Sequence, residues 1–196
     1  MKAKNIISVF LGSALLFSSC ESLDYTRPDQ LSSVTFWKTE AHAKQAAVGL
    51  YEAMMQTWCF GLESAFDMCT DLADGTSPFA DISRGTSCAS TSGAVQNHWQ
   101  YLYELVHRSN TVIRNVSTMD IDKTMIDQIV GEAKFLRAMA YFRMLNCWGG
   151  VPYYDESCII EEEFATVTNP RSSAEEIRQH VIDDLTDAIA KLPVSW

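Results

Sequence analysis

Apolar residues recur along this chain in four blocks at helical spacing, separated by stretches that hold no period. In the first block Ala43, Ala47, Leu50 and Met54 fall at i, i+4, i+7 and i+11, with Tyr51 beside them. Thr39 stands where an N-cap belongs, and the pattern fades near Trp58. The second block, about 98–117, sets Trp99, Leu102, Val106, Asn110 and Ile113 on one stripe, flanked by Tyr103 and Leu105. Asn110 interrupts that stripe, and a buried asparagine is expected to hydrogen-bond a neighbouring segment. The third block, about 123–147, carries two stripes: Ile129, Ala133, Leu136 and Ala140, then Phe135, Ala138, Phe142 and Leu145. Two apolar faces predict a helix packed on both sides. Trp148-Gly149-Gly150 ends it; either glycine can take the left-handed cap, and Pro152 forbids resumption. The fourth block buries Ile177, Val181, Leu185, Ala188, Ile189 and Leu192. It opens on Ser172 with Glu175, or Ser173 with Glu176, as a capping box, and Pro193 follows it. The pattern predicts an all-α chain of four main helices in antiparallel pairs.

Between the first two helices, residues 71–97 hold eight Ser or Thr and three Gly without sustained periodicity. Unstructured connections of that length are uncommon in compact domains and are usually functional or disordered; this one is the first place to look for ligand contacts. A second connection, 153–170, contains the acidic run Glu161-Glu162-Glu163, expected as a solvated face or an edge towards a partner.

The N-terminus reads differently. Lys2 and Lys4 precede an apolar run from Ile6 to Phe17, and Ser18-Ser19 lead to Cys20. A basic start, a short apolar core and small residues make a secretory leader, too short to span a bilayer. LLFSSC resembles a bacterial lipobox, with Phe17 in place of the usual Leu, and implies lipidation of Cys20. Residues 1–19 are then a cleaved leader, 20–33 a lipidated tether and 34–196 the helical domain. Glu21 and Asp24 after the lipidated cysteine resemble surface-export signals of some Gram-negative lipoproteins. Without the leader the chain carries 13 basic and 25 acidic residues, a net charge of −12. That excess disfavours nucleic acid and anionic lipid surfaces as partners.

Five cysteines remain, Cys59, Cys69, Cys88, Cys147 and Cys158, with no C-x-x-C spacing. The odd number favours buried thiols over a disulfide framework, and leaves a bridge such as Cys59 with Cys69 open. Catalytic motifs are absent from the sequence, which has no H-E-x-x-H, S-x-x-K, G-x-S-x-G or G-x-G-x-x-G. His98 and His107, nine residues apart, face opposite sides of a helix. Asp67, Asp71 and Asp74-Gly75 lack the alternate-residue spacing of a calcium loop. Neither catalytic residues, a metal site nor a cofactor is expected.

Two segments carry a family resemblance. FLRAMAYFRMLNCWGGVPYY resembles the LRA-x-x-YF…WG-x-VP segment of the SusD-like (SusD/RagB) family, and PRSSAEEIRQHVIDDLTDAIAKLP is similar to its PRSS-x-E-E-I…DL…LP segment. FWKTEAHAKQAAVGLYEAM, WQYLYELVHRSNTVI and the lipobox follow in the family's order. The resemblance implies tetratricopeptide-like helix pairs, and Ala138 with Phe142 has the A-x-x-x-F spacing of such repeats. It also implies a lipoprotein of the cell outer membrane, held by acyl chains in membrane lipid. Such a lipoprotein captures oligosaccharides, or sometimes peptides, for a SusC-like TonB-dependent transporter barrel. Family members are typically more than twice this length, so the chain is expected to be an N-terminal portion or a truncated frame, marginally stable alone. A surface-anchored helical scaffold that binds protein is the competing expectation.

Sugar recognition needs aromatic faces and planar polar groups. Aromatics off the helical stripes are Phe79, Tyr153 and Tyr154; polar groups of the long connection are Asp81, Arg84 and Asn97. Phe79, Asp81, Arg84 and Asn97 are the candidate ligand contacts. Trp99, on a stripe, is expected in the core.

Overall fold

A computed structural model describes residues 36–61, 63–73, 84–86, 93–159 and 169–195, all within one compact unit that begins at Phe36. The expected leader, Cys20, the tether, Phe79, Asp81, Cys88 and Glu161 to Glu163 lie outside the described residues. Four helices follow one another: α1 (Glu40–Met54), α2 (Gly93–Val116), α3 (Lys123–Trp148) and α4 (Ala174–Lys191). A π-helical turn (Thr57–Gly61) and a 3-10 turn (Glu63–Cys69) lie between α1 and α2. The fold is all-α, built of tetratricopeptide-like helix pairs.

Local chemistry sets the helix ends. The Thr39 hydroxyl accepts from the His42 N–H at 3.3 Å to cap α1, and the Asp122 carboxylate accepts from the Met125 N–H at 3.1 Å to cap α3. Of the two possible boxes at α4, Ser173 with Glu176 forms: the Ser173 hydroxyl accepts from the Glu176 N–H, and the Glu176 carboxylate accepts from the Ser173 N–H. A cap of this kind contributes about 1 kcal/mol. Gly149 closes α3 at φ 69°, its N–H donating to Leu145 O at 2.9 Å.

Antiparallel neighbours are visible in their cross-contacts. Arg108 of α2 reaches Gly49 and Glu52 of α1. Asn110 meets Arg137 of α3, and Arg137 meets Asp184 of α4. The core lies around α3, which packs against all three other helices. Leu50, Leu102, Leu105, Leu136, Tyr141 and Met144 are sealed within it.

Three expectations need correction. Helix α2 begins at Gly93, five residues before its apolar period, because Ala94 is buried against Trp58, Phe66 and Cys69. A tertiary contact extends the helix beyond its own pattern. The second face of α3 is covered only in part. Ala138 is buried and Leu145 packs on the core, but Phe135 and Phe142 remain 41% and 56% exposed. Seven residues apart, they share one edge of the helix, which no described element covers. On α4, Ile189 is exposed, while Leu185 and Leu192 are half-buried. The buried stripe passes through Asp184 instead, at i+7 from Ile177 and i+3 from Val181. No disulfide involves Cys59, Cys69, Cys147 or Cys158, so Cys59 and Cys69 form no bridge.

Candidate functional site

The segment after α3 is fastened to α2 and α3 by side chains. Tyr103 donates its hydroxyl to Pro152 O at 2.7 Å, and Asn110 donates its amide to Tyr154 O at 3.0 Å. The Tyr141 hydroxyl accepts from the Tyr154 N–H at 2.8 Å and donates to Tyr154 O at 3.1 Å. Asn110 thus bonds a neighbouring segment as its place in the stripe predicts. Burial first, then the nearby tyrosines, pushes the Tyr141 hydroxyl well above its ordinary range, so it remains a donor at neutral pH.

Behind this segment sits a charge cluster that the apolar pattern conceals. Arg137 is nearly fully buried, and its Nε and Nη2 each donate to the Asp184 carboxylate at 2.7 Å. Its Nη1 donates to Asn110 Oδ1 and Glu156 Oε2, both at 2.6 Å. Burial disfavours the Arg137 charge, but the Asp184 hydrogen bonds and charge outweigh it and stabilise the cation. One signal lay in the sequence: Asp184 occupies a stripe position, and a charge there needs a partner.

Aromatic side chains collect where α2 begins and α3 ends. Trp99 meets Trp148 edge to face at 5.1 Å and Tyr103 at 5.0 Å. The Arg171 guanidinium lies over Trp99, 5.7 Å from the ring centroid, and donates to Gly150 O at 2.5 Å. His98, buried, holds Trp58 O at 2.7 Å through Nδ1 and stands 5.2 Å from the Phe66 ring. Trp99 is half-buried and packs on the core, in keeping with its stripe position. Tyr153 lies between Tyr141 at 4.9 Å and a stacked His180 at 3.7 Å. Its hydroxyl is pushed up to about 12, by burial above all. Tyr153 and Tyr154 are therefore tied into packing and hydrogen bonding instead of being held out as open platforms.

The long connection leaves and returns at this same end. Phe66 and Cys69 on its near side and Ala94 on its far side share one small apolar cluster with Trp58. Arg84 is exposed at a turn beside Gly85, whose φ is 65°. Asn97 is half-buried on α2, three residues beyond Ala94. Beside the cluster opens a groove of about 750 Å³ between α1 and α3, lined by Met54, Met55, Phe60, Phe66, Met139, Phe142, Arg143, Asn146 and Cys147. The Arg143 guanidinium stacks on Phe66 and Phe60, at 4.4 and 5.0 Å from their centroids. None of these groove residues was singled out as a ligand contact from sequence, because each lies in a helical run or a short irregular turn.

Among the described residues no group of three His, Cys, Asp or Glu side chains is placed to hold a metal ion, and no helix is long and apolar enough to cross a membrane.

A family model described as "Starch-binding associating with outer membrane", SusD-like, matches residues 21–196. The chain belongs to the SusD-like family. SusD-like protein P25 of Formosa agariphila is 31% identical over 179 residues, which cover 83% of this chain and 33% of that one. A SusD-like carbohydrate-binding protein from Bacteroides fragilis superposes with a TM-score of 0.68 at 21% identity, over 81% of this chain and 33% of its own. A laminarin-binding SusD-like protein gives 0.67 at 23% identity, over 80% and 35%. The chain spans about a third of the length of these SusD-like relatives.

Proposed function

We propose that this SusD-like chain serves in a surface lipoprotein that captures oligosaccharides for import through a TonB-dependent, SusC-like barrel. The reading includes a leader over 1–19, lipidation at Cys20, a tether to residue 33 and anchorage in the outer membrane. Binding is non-covalent, without a catalytic step. The observation that carries it is the pinning of both ends of the long connection on one apolar cluster, beside an array of aromatic rings. That geometry ties both ends of the connection to a rigid helical end, and loops fixed on rigid scaffolds commonly carry binding residues. The laminarin-binding relative supports a glycan as the ligand class.

Within this proposal Phe79 stacks on a sugar face, while Asp81, Arg84 and Asn97 bond hydroxyls. Calorimetry with malto-, laminari- and xyloglucan-derived oligosaccharides tests it. At least one should bind, and Arg84→Ala with Asn97→Ala should weaken it about tenfold, or 1.4 kcal/mol, with Tm unchanged. Silence across the panel, or unaltered binding by the double variant, would falsify the assignment. A protein-binding scaffold is the second reading, favoured by the exposed Tyr51, Met55, Phe135 and Phe142. Recovery of a protein partner that Phe142→Asp releases, with no glycan bound, would support that reading instead.

A further inference from the structure

Helix α1 contains a glycine at position 49 that its packing does not require. A Cβ built on Gly49 meets no described atom within 4 Å. Glycine in a helix interior is costly relative to alanine, and the space beside Gly49 stands open. Gly49 lies on the wall of a second cleft, of about 250 Å³, between α1, α2 and the residues before α1. Phe36, Trp37, His107, Arg108 and Thr111 line it with Gly49.

The aromatic side is braced. Phe36 meets Trp37 edge to face at 4.8 Å and stacks on His42 at 5.2 Å. The polar side is braced as well. Arg108 donates to Gly49 O at 3.3 Å, to Glu52 at 2.8 Å and to Glu104 at 2.6 Å. The Thr111 hydroxyl donates to His107 O at 3.0 Å, which leaves its lone pairs to accept. An apolar wall with a few fixed polar groups is the usual make-up of a small-ligand site, and this volume lies below the roughly 300 Å³ at which drug-sized pockets start. It suits one ring. Charge narrows the class further: a single guanidinium stands between two carboxylates, so the rim carries no surplus positive charge to attract an anion.

We propose that the Gly49 cleft is a second subsite, which takes one neutral pyranose unit with its C–H face on Trp37 and its hydroxyls on Arg108 and Thr111. This rests on glycan capture as the chain's role and adds a site whose lining includes no residue of the long connection.

The test is amide NMR of the full chain titrated with methyl glucoside, methyl xyloside and methyl galactoside, with glucuronate as the anionic comparison. A neutral glycoside should move the Gly49 amide and the Trp37 indole N–H, and glucuronate should leave both in place. Gly49→Ala puts a methyl group into that open space while favouring the helix. It should raise Tm by about 2–4 °C and weaken the neutral glycoside about tenfold or more. Stationary cleft signals, unaltered affinity in Gly49→Ala, equal binding of glucuronate or a lowered Tm would each overturn the proposal. Oligosaccharide binding that depends on Arg84 and Asn97 while the cleft signals stay still overturns the cleft alone. Cleft signals that move while that double variant binds unchanged count against the loop site alone.

Discussion

Arg137→Met is expected to lower stability by about 3–5 kcal/mol, because it leaves Asp184 buried without its counter-ion. The Arg137 and Asp184 side chains are only 3% and 7% exposed, so water cannot take over the lost hydrogen bonds. For a chain of this size that corresponds to a fall in Tm on the order of 10 °C. Glu156, 38% exposed, can turn to solvent and adds less. Replacing both charges, Arg137→Met with Asp184→Leu, should recover much of the loss, since no fully buried charge is left unpaired and Glu156 can turn to solvent. The acid limb of the stability profile offers a second readout. Burial raises the Glu156 carboxyl, but the Arg137 hydrogen bond and charge prevail and hold it below its ordinary 4.5. A depressed folded value stabilises the fold above 4.5, and that stability is lost as pH falls through the folded value. Arg137→Met should flatten this acid-side loss; urea midpoints measured from pH 7 to 3 check both effects. A variant with wild-type midpoints throughout would remove the cluster from the stability of the fold.

Gly150→Ala is the second large effect. An added Cβ would stand 2.1 Å from Ser172 O and 3.2 Å from the Ala174 N. Neither atom can yield easily, because Ser172 N–H donates to Val151 O at 3.0 Å and Ser173 caps α4 next door. Relieving the overlap means parting that bridge or shifting the start of α4, at about 3 kcal/mol. Gly149→Ala meets no neighbouring atom, but φ 69° with ψ −130° lies outside the left-handed helical region and suits glycine, so it should cost about 1–3 kcal/mol. Unfolding midpoints rank the two, and hydrogen exchange localises the damage. The first turn of α4 should exchange faster in Gly150→Ala and stay protected in Gly149→Ala.

These two glycines also mark what the sequence reveals and what it conceals. Gly149 is legible, since a glycine after a helical run and before a proline is a local stop signal. The need for glycine at 150 depends on Ser172, which arrives from 22 residues further along. The same division runs through the fold. Caps at Thr39 and Ser173 lie within three residues of their partners and can be read directly. Arg137 and Asp184 are 47 residues apart, and periodicity reports only that a charge has entered a stripe. Phe135 and Phe142 show the converse limit, because an apolar edge announces a wish for cover and not its supply. At the proposed site the sequence makes Arg84 and Asn97 of the long connection legible as candidates. The pinning of its ends is not legible, for it depends on Trp58, Phe66 and Ala94 meeting in space.

Photo-crosslinking tests the central claim most directly. The oligosaccharide that binds most tightly, carrying a diazirine at its reducing end, is irradiated with the full chain and the adduct is mapped by mass spectrometry. Glycan capture over the long connection predicts adducts within residues 71–97, suppressed by excess unlabelled ligand and by Asn97→Ala. Adducts confined to the α1 and α3 face around Met55, Phe135 and Phe142, or none that unlabelled ligand suppresses, would contradict it.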